Sequence, residues 1–261
     1  MLLWISESPA AGPSFARRAA GSARPPRALA EAGCEVVMNG RDAKTLETAA
    51  AEIGKATGAK ITTVAADVAL PLGQKSLLAA CPAPDILINN NAGPPLRDFR
   101  ELTRQQMIDG VIANMIVAIE LIQKVIGPMT ERKFGRIVNI TSGSVKAPLP
   151  GLDLSSGARA GLTAFLAGVA RTVASNNVTI NNVLPGAFET DRLRGTLKKW
   201  AEQKGTSVEE AAATRAATIP AKRFGQPHEF GAACAFLCSA QAGYITGQNL
   251  LIDGGNFNGA F

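Results

Sequence analysis

Short apolar runs alternate with longer helical patterns from residue 35 to the C-terminus, and this alternation constrains the fold more than any other feature of the chain. The short runs are rich in β-branched residues, whereas the longer segments repeat apolar residues at helical spacing. A succession of βαβ units builds a mostly parallel sheet that is flanked by helices. The sequence therefore predicts a doubly wound, Rossmann-type α/β fold.

The pattern also places the individual elements along the chain. We predict strands at 35–39, 61–66, 86–89, 136–140, 179–183 and 249–252. We predict helices at 43–53, 74–80, 104–131, 156–174, 192–203, 208–217 and 229–239. No segment of the sequence repeats another, so a repeat architecture is not expected.

The length and composition predict a single domain. The 261 residues are 46% apolar and 18% charged, which suits one well-buried α/β domain. The longest apolar stretch, 111–122, is interrupted by Asn114 and Glu120 and is shorter than the roughly 20 residues that span a bilayer. We therefore assign 1–261 to one domain without a membrane span, and we treat 1–27 as an anomalous first segment.

The composition does not predict a disulfide-rich protein, a zinc protein or a nucleic-acid-binding protein. Four irregularly spaced cysteines do not form a disulfide framework, and one histidine gives no zinc pattern. The net charge of +6 is partly local, because 6–28 holds four arginines against one glutamate, and no basic stripe is interleaved with aromatic residues. We predict no bound metal, no nucleic-acid partner, and a reducing, cytoplasmic location.

Nine sequence motifs follow one another after residue 27. They are ALAEAG at 28–33, NGRD at 39–42, ADV at 66–68, DILINN at 85–90, Asn114 within its long helix, GRIVNITS at 135–142, INNVLPGAFETDRL at 180–193, RFGQPHE at 223–229 and GYITGQNLLIDGG at 243–255. In this order and spacing the chain resembles the short-chain dehydrogenases/reductases, particularly the subgroup similar to the bacterial β-ketoacyl-acyl-carrier-protein reductases. The resemblance runs from about Leu29 to the C-terminus.

Arg41 bears on the choice of cofactor. It follows the strand at 35–39, where a doubly wound dinucleotide fold meets the adenosine ribose. An acidic side chain there favours NAD, whereas an arginine can pair with a 2′-phosphate. The position predicts NADP(H) in preference to NAD(H), with an ordinary solvated arginine as the alternative.

The resemblance implies further cofactor contacts at the ends of the next two strands. Asp67, with Val68 beside it, matches the residue that hydrogen-bonds the adenine amino group, and a turn-capping aspartate is the alternative. Asn89 and Asn90 match the start of the family's NNAG sequence, in which this chain has Ala92 at the glycine position. A side chain at that position opposes close approach of the backbone to a cofactor.

Two more segments carry site residues that the resemblance implies. Pro185 and Gly186 form the turn after a strand, and Phe188 and Thr190 occupy positions that in the family hold the nicotinamide carboxamide. A simple backbone turn is the alternative. Asn114 matches the family's catalytic asparagine, which opens its helix locally and holds a water of the proton relay, and a helix–helix contact is the alternative.

The catalytic positions depart from the family. Carbonyl reduction needs a proton donor, a second donor to polarise the oxygen and a cation to tune the acid, and the family uses Tyr, Ser and Lys. Ser142 matches the polarising serine, but Ser155 and Arg159 stand at the tyrosine and lysine positions. An aliphatic hydroxyl ionises far less readily than a phenol, and arginine stays protonated. Arg159 can hold a cofactor ribose but cannot shuttle a proton.

Three hypotheses about function remain open at this point. The first is an NADP(H)-dependent oxidoreductase that acts on a keto or hydroxy group of a small molecule or acyl thioester. The second is a non-catalytic binding or scaffold protein with the same fold. The third is a non-redox enzyme with Lys146 or Asp153 as base, since both lie in the loop between Ser142 and Ser155. Solvated loop charge is the alternative for these two residues.

The resemblance further implies a homotetramer or homodimer. In the family such an assembly is built from the two long helices, here 104–131 and 156–174, and from the C-terminal segment. Neither a membrane nor a nucleic acid is expected as a partner.

The first segment lacks the family's glycine loop. Of the 23 residues at 6–28, 21 are Ala, Arg, Pro, Gly or Ser. The TGxxxGxG sequence would fall on 15–22 and place Ala16, Ala20 and Ser22 at its three glycines. Because prolines are poorly tolerated inside a helix, we predict that the following helix begins at Pro25 and Pro26.

We hypothesise that residues 1 to about 27 were translated in the wrong reading frame, because GC-rich coding DNA read out of frame is rich in these five residue types. The nucleotide sequence tests this: a single-base shift upstream of Ala28 should restore a strand and a TGxxxGxG loop. If no such shift exists, the segment has diverged, and 2–6 fill the central strand position instead.

Overall fold

A computed structural model of the chain describes residues 2–6, 25–91, 93–94 and 96–259, with 2–6 and Arg192 described by their backbone alone. Within these residues seven strands form one sheet in the order β3-β2-β1-β4-β5-β6-β7. The strands are β1 (Leu2–Ser6), β2 (Glu35–Gly40), β3 (Ile61–Ala65), β4 (Ile86–Asn89), β5 (Gly135–Ile140), β6 (Val178–Pro185) and β7 (Asn249–Ile252). The sheet contains every predicted strand, so the predicted α/β class is confirmed.

Helices cover both faces of the sheet. They are α1 (Pro25–Glu31), α2 (Ala43–Thr57), α3 (Pro71–Ala80), α4 (Arg104–Val111), α5 (Val117–Glu131), α6 (Asp153–Val173), α7 (Asp191–Lys204), α8 (Val208–Ala217) and α9 (Pro227–Cys238). A π-helical turn, Ile112–Ile116, joins α4 to α5, so the predicted helix 104–131 comprises three segments. The α1 helix begins at its two prolines, as predicted.

The central strand β1 differs from the expected parallel arrangement. It lies between β2 and β4 but runs antiparallel to both, with Leu3 paired to Met38 and to Ile88. The other four strand pairings are parallel. An antiparallel strand satisfies the same backbone donors and acceptors. Because Ser6 pairs with Glu35 at the start of β2, the chain leaves β1 at the sheet edge opposite the carboxyl ends of the parallel strands.

The strands are buried on both faces, which is typical of a doubly wound sheet. Ile86 and Ile88 of β4 pack into one apolar cluster with Leu29 of α1. Leu87 points to the opposite face, into a second cluster with Leu121 of α5. The alternation follows from the two-residue period of a strand.

The continuous helical run Arg104–Glu131 meets the length and hydropathy that a membrane-crossing helix requires. Its inward residues Val117, Leu121 and Val125 are nevertheless fully buried in the second apolar cluster. Core helices of globular domains have the same composition. The packing against the sheet therefore accounts for the apolar character of the run.

Buried Arg136 joins the far edge of β5 to its neighbours. Its guanidinium donates to the backbone oxygens of Ser239 (3.1 Å) and Asn177 (2.7 Å), and it lies 4.5 Å from the ring centroid of Phe134. Hydrogen bonds from a charged donor are stronger than neutral ones, which offsets the cost of burying the charge. This arginine ties β5, β6 and the end of α9 together.

All four cysteines are buried, and no disulfide joins them. Burial raises the pKa of the Cys234 thiol, which keeps it protonated. In the part of the chain that the structure describes, no group of three or more potential ligands among His, Cys, Asp and Glu could hold a metal ion.

Candidate active site

A cleft of about 780 Å³ opens at the carboxyl ends of the parallel strands. Its walls come from the ends of β2, β5 and β6 and from the first turns of α2, α7 and α9. Ligands of doubly wound sheets bind at this edge, and the volume is typical of a small-molecule site. The cleft is therefore the candidate active site.

Five of the predicted cofactor residues line this cleft. They are Arg41, Asn90, Pro185, Phe188 and Thr190. Exposed Arg41 follows β2 directly, and Asn90 follows β4. The structure thus brings together residues that are up to 149 positions apart, because the strands that carry them end at one edge.

Asp67, Val68 and Asn89 lie outside the cleft wall. The Asp67 carboxylate accepts a hydrogen bond from the Ala69 N–H at 2.9 Å, as a turn-capping aspartate does. Val68 is buried, and its carbonyl accepts from the Gln74 side chain at 3.0 Å. Asn89 is buried beneath the cleft. Their predicted contacts with a cofactor remain predictions.

The turn after β6 is tightly packed. A Cβ atom on Gly186 would lie 2.7 Å from the Asp253 Cβ, so only glycine fits there. Phe188 packs edge-on against Phe230, with ring centroids 5.4 Å apart. Thr190 caps the start of α7 with its hydroxyl. These contacts fix the backbone of 186–190 on one side of the cleft.

Ser142 and Asn114 both lie where the backbone departs from regular α-helix, Ser142 at the start of a short 3-10 helix and Asn114 in a π-helical turn. Ser142 caps the short helix Gly143–Val145, and its Oγ lies 3.1 Å from the Ser144 N and 2.9 Å from the Ser144 Oγ. Asn114 lies inside the π-helical turn, and its amide donates to the Gly110 carbonyl at 3.2 Å. A π-helical turn is a local widening of the kind expected at this asparagine.

Ser155 and Arg159 form one buried unit on α6. The Arg159 Nε donates to the Ser155 Oγ at 3.2 Å. Nη1 donates to the carbonyls of Ile140 (2.8 Å) and Thr141 (3.0 Å), and Nη2 donates to the Asn91 carbonyl (3.0 Å). The guanidinium therefore connects α6 to the chain just after β4 and β5. Neither residue lines the cleft.

The other candidate bases stand apart from this unit. The Lys146 Nζ lies 5.5 Å from the ring centroid of Phe257, in a cation–π contact with the C-terminal segment. Exposed Asp153 accepts from the Gly151 N–H at 3.1 Å at the start of α6. Neither side chain lines the cleft, so a role for either as base remains a prediction.

The first turn of α9 is one part of the cleft wall that sequence analysis missed. Pro227 and Phe230 both line the cleft. The Glu229 carboxylate fixes the position of this turn. Both of its oxygens accept hydrogen bonds from the Arg223 guanidinium at 2.7 Å, and one also accepts from the Gln226 N–H at 2.7 Å. The RFGQPHE motif marked the segment, but only the tertiary packing brings it to the cleft.

Two predicted features lie outside the residues that the structure describes. They are the candidate glycine-loop positions 15–22, with Ala16, Ala20 and Ser22, and Ala92 in the segment that matches NNAG.

The comparison with known proteins agrees with this arrangement. The family described as enoyl-(acyl carrier protein) reductase matches residues 21–256. The chain belongs to the short-chain dehydrogenase/reductase family. The family resemblance drawn from the nine motifs is therefore confirmed.

Among short-chain dehydrogenase/reductase relatives, nodulation protein G of Azospirillum brasilense is 34% identical over 236 residues, which cover 88% of this chain and 90% of that protein. The 3-oxoacyl-[acyl-carrier-protein] reductase FabG of Chlamydia muridarum is 28% identical over 233 residues, covering 87% and 89%. The structure of L-sorbose reductase from Gluconobacter frateurii, complexed with NADPH and L-sorbose, superposes with a TM-score of 0.84 at 26% identity, covering 89% and 90%.

The Arg223–Glu229 pair yields a testable prediction about stability. Hydrogen bonds from Arg223 and from the Gln226 backbone lower the pKa of Glu229 from 4.5 to about 2. Its stabilisation is thus present above pH 4.5 and is lost as the pH falls through about 2. Glu229→Gln should lower the free energy of unfolding at pH 7 by about 1 kcal/mol, a small value because the pair is partly exposed.

Urea unfolding at pH 7 and at pH 3 measures this effect, and the difference between the two proteins should be smaller at pH 3. Glu202→Gln, on exposed α7 surface, is the matched control and should behave like the unaltered protein at both pH values. An equal loss at both pH values would show that the carboxylate charge is not the cause.

Proposed function

We propose that this protein is an NADP(H)-dependent oxidoreductase similar to the 3-oxoacyl-[acyl-carrier-protein] reductases, acting on a keto or hydroxy group of a small molecule or acyl thioester. The observation that carries the proposal is the position of Arg41 directly after β2, on the wall of the large cleft. FabG of Chlamydia muridarum and the NADPH-bound L-sorbose reductase support the same class of reaction.

Polar residues of the cleft wall suit one part of an NADP(H) molecule, the adenosine ribose with its 2′-phosphate. The exposed Arg41 guanidinium suits a 2′-phosphate, and Asn90 and Thr190 add polar groups to the same wall. When bound, the nicotinamide supplies hydride transfer. The fit is less complete at the pyrophosphate, because α1 begins with Pro25 and Pro26, which have no N–H to donate.

Ser142 has the chemistry of a polarising residue. Its Oγ accepts hydrogen bonds from both the N–H and the hydroxyl of Ser144, so its own proton can be donated to a substrate oxygen. Asn114, in the π-helical turn, is the residue to which the family resemblance assigns an ordered water. Neither Ser155 nor Arg159 is a good donor of the proton that the nascent alkoxide needs, because Ser155 is a poor acid and Arg159 does not deprotonate.

The bonds made by Arg159 favour a second candidate function, a non-catalytic binding protein with the family fold. Its guanidinium donates to three backbone carbonyls and to Ser155, and neither side chain lines the cleft. In this case the cleft binds a nucleotide without turning over a substrate.

We further propose one domain, a cytoplasmic location and a homotetramer or homodimer. Exposed apolar side chains of Ile108, Ile116 and Phe165 lie on the long helices, and exposed Phe236 and Tyr244 lie towards the C-terminus. A second copy of the chain would remove this apolar surface from water.

Four buried cysteines without a disulfide suit a reducing compartment.

Arg41→Asp tests the proposed cofactor. The change replaces a phosphate-pairing cation by an anion, so the dissociation constant for NADPH should rise about 10- to 100-fold while that for NADH changes little. Fluorescence titration measures both constants. Lys55→Asp, at the far end of α2, is the control with the same change of charge. If NADPH does not bind to the unaltered protein, the proposed function is wrong.

Ser155→Tyr combined with Arg159→Lys separates the two candidate functions. Restoring a phenol and a lysine should raise NADPH-dependent turnover of 3-keto thioesters and ketones by about 100-fold or more, because general acid catalysis typically contributes that much. Adding Ser142→Ala should remove the gain. NADPH binding without turnover in the unaltered protein supports the non-catalytic candidate, and turnover at a rate equal to that of the double variant excludes it.

A further inference from the structure

The charged side chains of the cleft wall are mostly acidic. Among the described residues that line the cleft, Arg41 is the one lysine or arginine. Three carboxylates line the same cleft, those of Asp42, Glu189 and Asp191. Arg41 forms no salt bridge with any residue that the structure describes. A phosphate group on a ligand therefore has a single cationic side chain to pair with along this described wall.

The carboxylate next to Arg41 has a fixed position. Asp42 caps the start of α2, and its Oδ1 accepts a hydrogen bond from the Thr45 N–H at 2.7 Å. Hydrogen bonds from the Thr45 side chain and backbone lower the pKa of Asp42, so the carboxylate is ionised at neutral pH. A carboxylate has about four lone-pair sites, so the helix cap leaves acceptor capacity for a ligand. Asp42 thus places a negative charge and a hydrogen-bond acceptor beside the Arg41 position.

A cation and an anion at adjacent positions distinguish the two secondary oxygens of an adenosine ribose. The 2′ and 3′ oxygens are bound to neighbouring carbons, so one can carry a phosphate that pairs with Arg41 while the other faces Asp42. A hydroxyl facing Asp42 donates a hydrogen bond to the carboxylate. A phosphate facing Asp42 brings like charges together and leaves the carboxylate without a donor, which selects against that ligand.

We propose that Asp42 is a specificity-determining residue that admits adenosine 2′-phosphates to the Arg41 end of the cleft and excludes adenosine 3′-phosphates. The proposal rests on the proposed function, in which the cofactor extends from Arg41 to the segment of Phe188 and Thr190 on the same cleft wall. That direction gives the ribose one orientation. The 2′-phosphate then pairs with Arg41, and the free 3′-hydroxyl donates to the Asp42 carboxylate.

This distinction separates the proposed cofactor from one class of proposed substrate. NADP(H) carries its extra phosphate on the 2′ oxygen of adenosine, whereas coenzyme A, a carrier of acyl thioesters, carries a phosphate on the 3′ oxygen. Without the Asp42 carboxylate, the nucleotide portion of such a thioester would compete with the cofactor for Arg41. Asp42 therefore keeps this end of the cleft for the cofactor when a thioester of that kind is present.

Calorimetric titration of the full-length protein with two isomers tests the proposal. Adenosine 2′,5′-bisphosphate and adenosine 3′,5′-bisphosphate have the same composition and charge, so general attraction to a basic protein does not separate them. The dissociation constant of the 3′,5′ isomer should be about 10-fold higher or more, because its phosphate faces Asp42. Equal affinities, tighter binding of the 3′,5′ isomer, or no binding of either would overturn the proposal.

Titration with NADPH in the same buffer distinguishes this failure from failure of the proposed function. If NADPH binds but the two isomers bind equally, only the role of Asp42 is wrong. If NADPH does not bind, the proposed function is wrong, and the role of Asp42 falls with it.

Asp42→Asn assigns the selectivity to the carboxylate charge. Asparagine caps a helix as well as aspartate does, so α2 should be retained, and its amide oxygen still accepts from a hydroxyl. The dissociation constant of the 3′,5′ isomer should fall about 10-fold while that of the 2′,5′ isomer changes little. Glu52→Gln, on exposed α2 surface outside the cleft wall, is the matched control and should keep the original ratio. An Asp42→Asn protein with that same ratio would contradict the proposal.

Discussion

The buried guanidinium of Arg159 holds together the parts of the structure on which the candidate active site depends. It joins α6 to the backbone just after β4 and just after β5, through carbonyls at 91, 140 and 141. A buried charge is costly unless it is surrounded by hydrogen-bond acceptors, and here three carbonyls and the Ser155 hydroxyl surround it. Ser142 and the turn around Asn114 are positioned next to this unit.

That arrangement explains how Ser155 and Arg159 fit within the family fold, because their hydrogen bonds connect α6 to the chain after β4 and β5. Arg41 lines the cleft, whereas Ser142 lies after β5 with its Oγ accepting a hydrogen bond from the Ser144 N–H. The family resemblance assigns the positions of the acid and its tuning cation to Ser155 and Arg159, and in the structure Arg159 donates to carbonyls at the strand ends. In the proposed function, cofactor binding and proton transfer depend on different residues, so the two can be lost separately.

Much of the fold and part of the site could be predicted from the sequence. The βαβ alternation predicted six of the seven strands. The spacing after Ser142 predicted that Ser155 and Arg159 lie one helical turn apart, and both lie on α6. The reversed direction of β1 could not be predicted, because a short apolar strand satisfies its neighbours in either orientation. The involvement of Pro227 and Phe230 in the cleft was also missed, since their motif carries no chemistry of its own.

The sequence by itself determined the fold class, the family and the residue types at each site position, because these depend on local periodicity and on motif spacing. Only the tertiary structure decided what those residues contact. It directed the Arg159 guanidinium to backbone carbonyls and brought the start of α9 to the cleft. The physical reason is that such contacts join segments that are distant in the chain, and no local pattern encodes the direction of a side chain across the sheet.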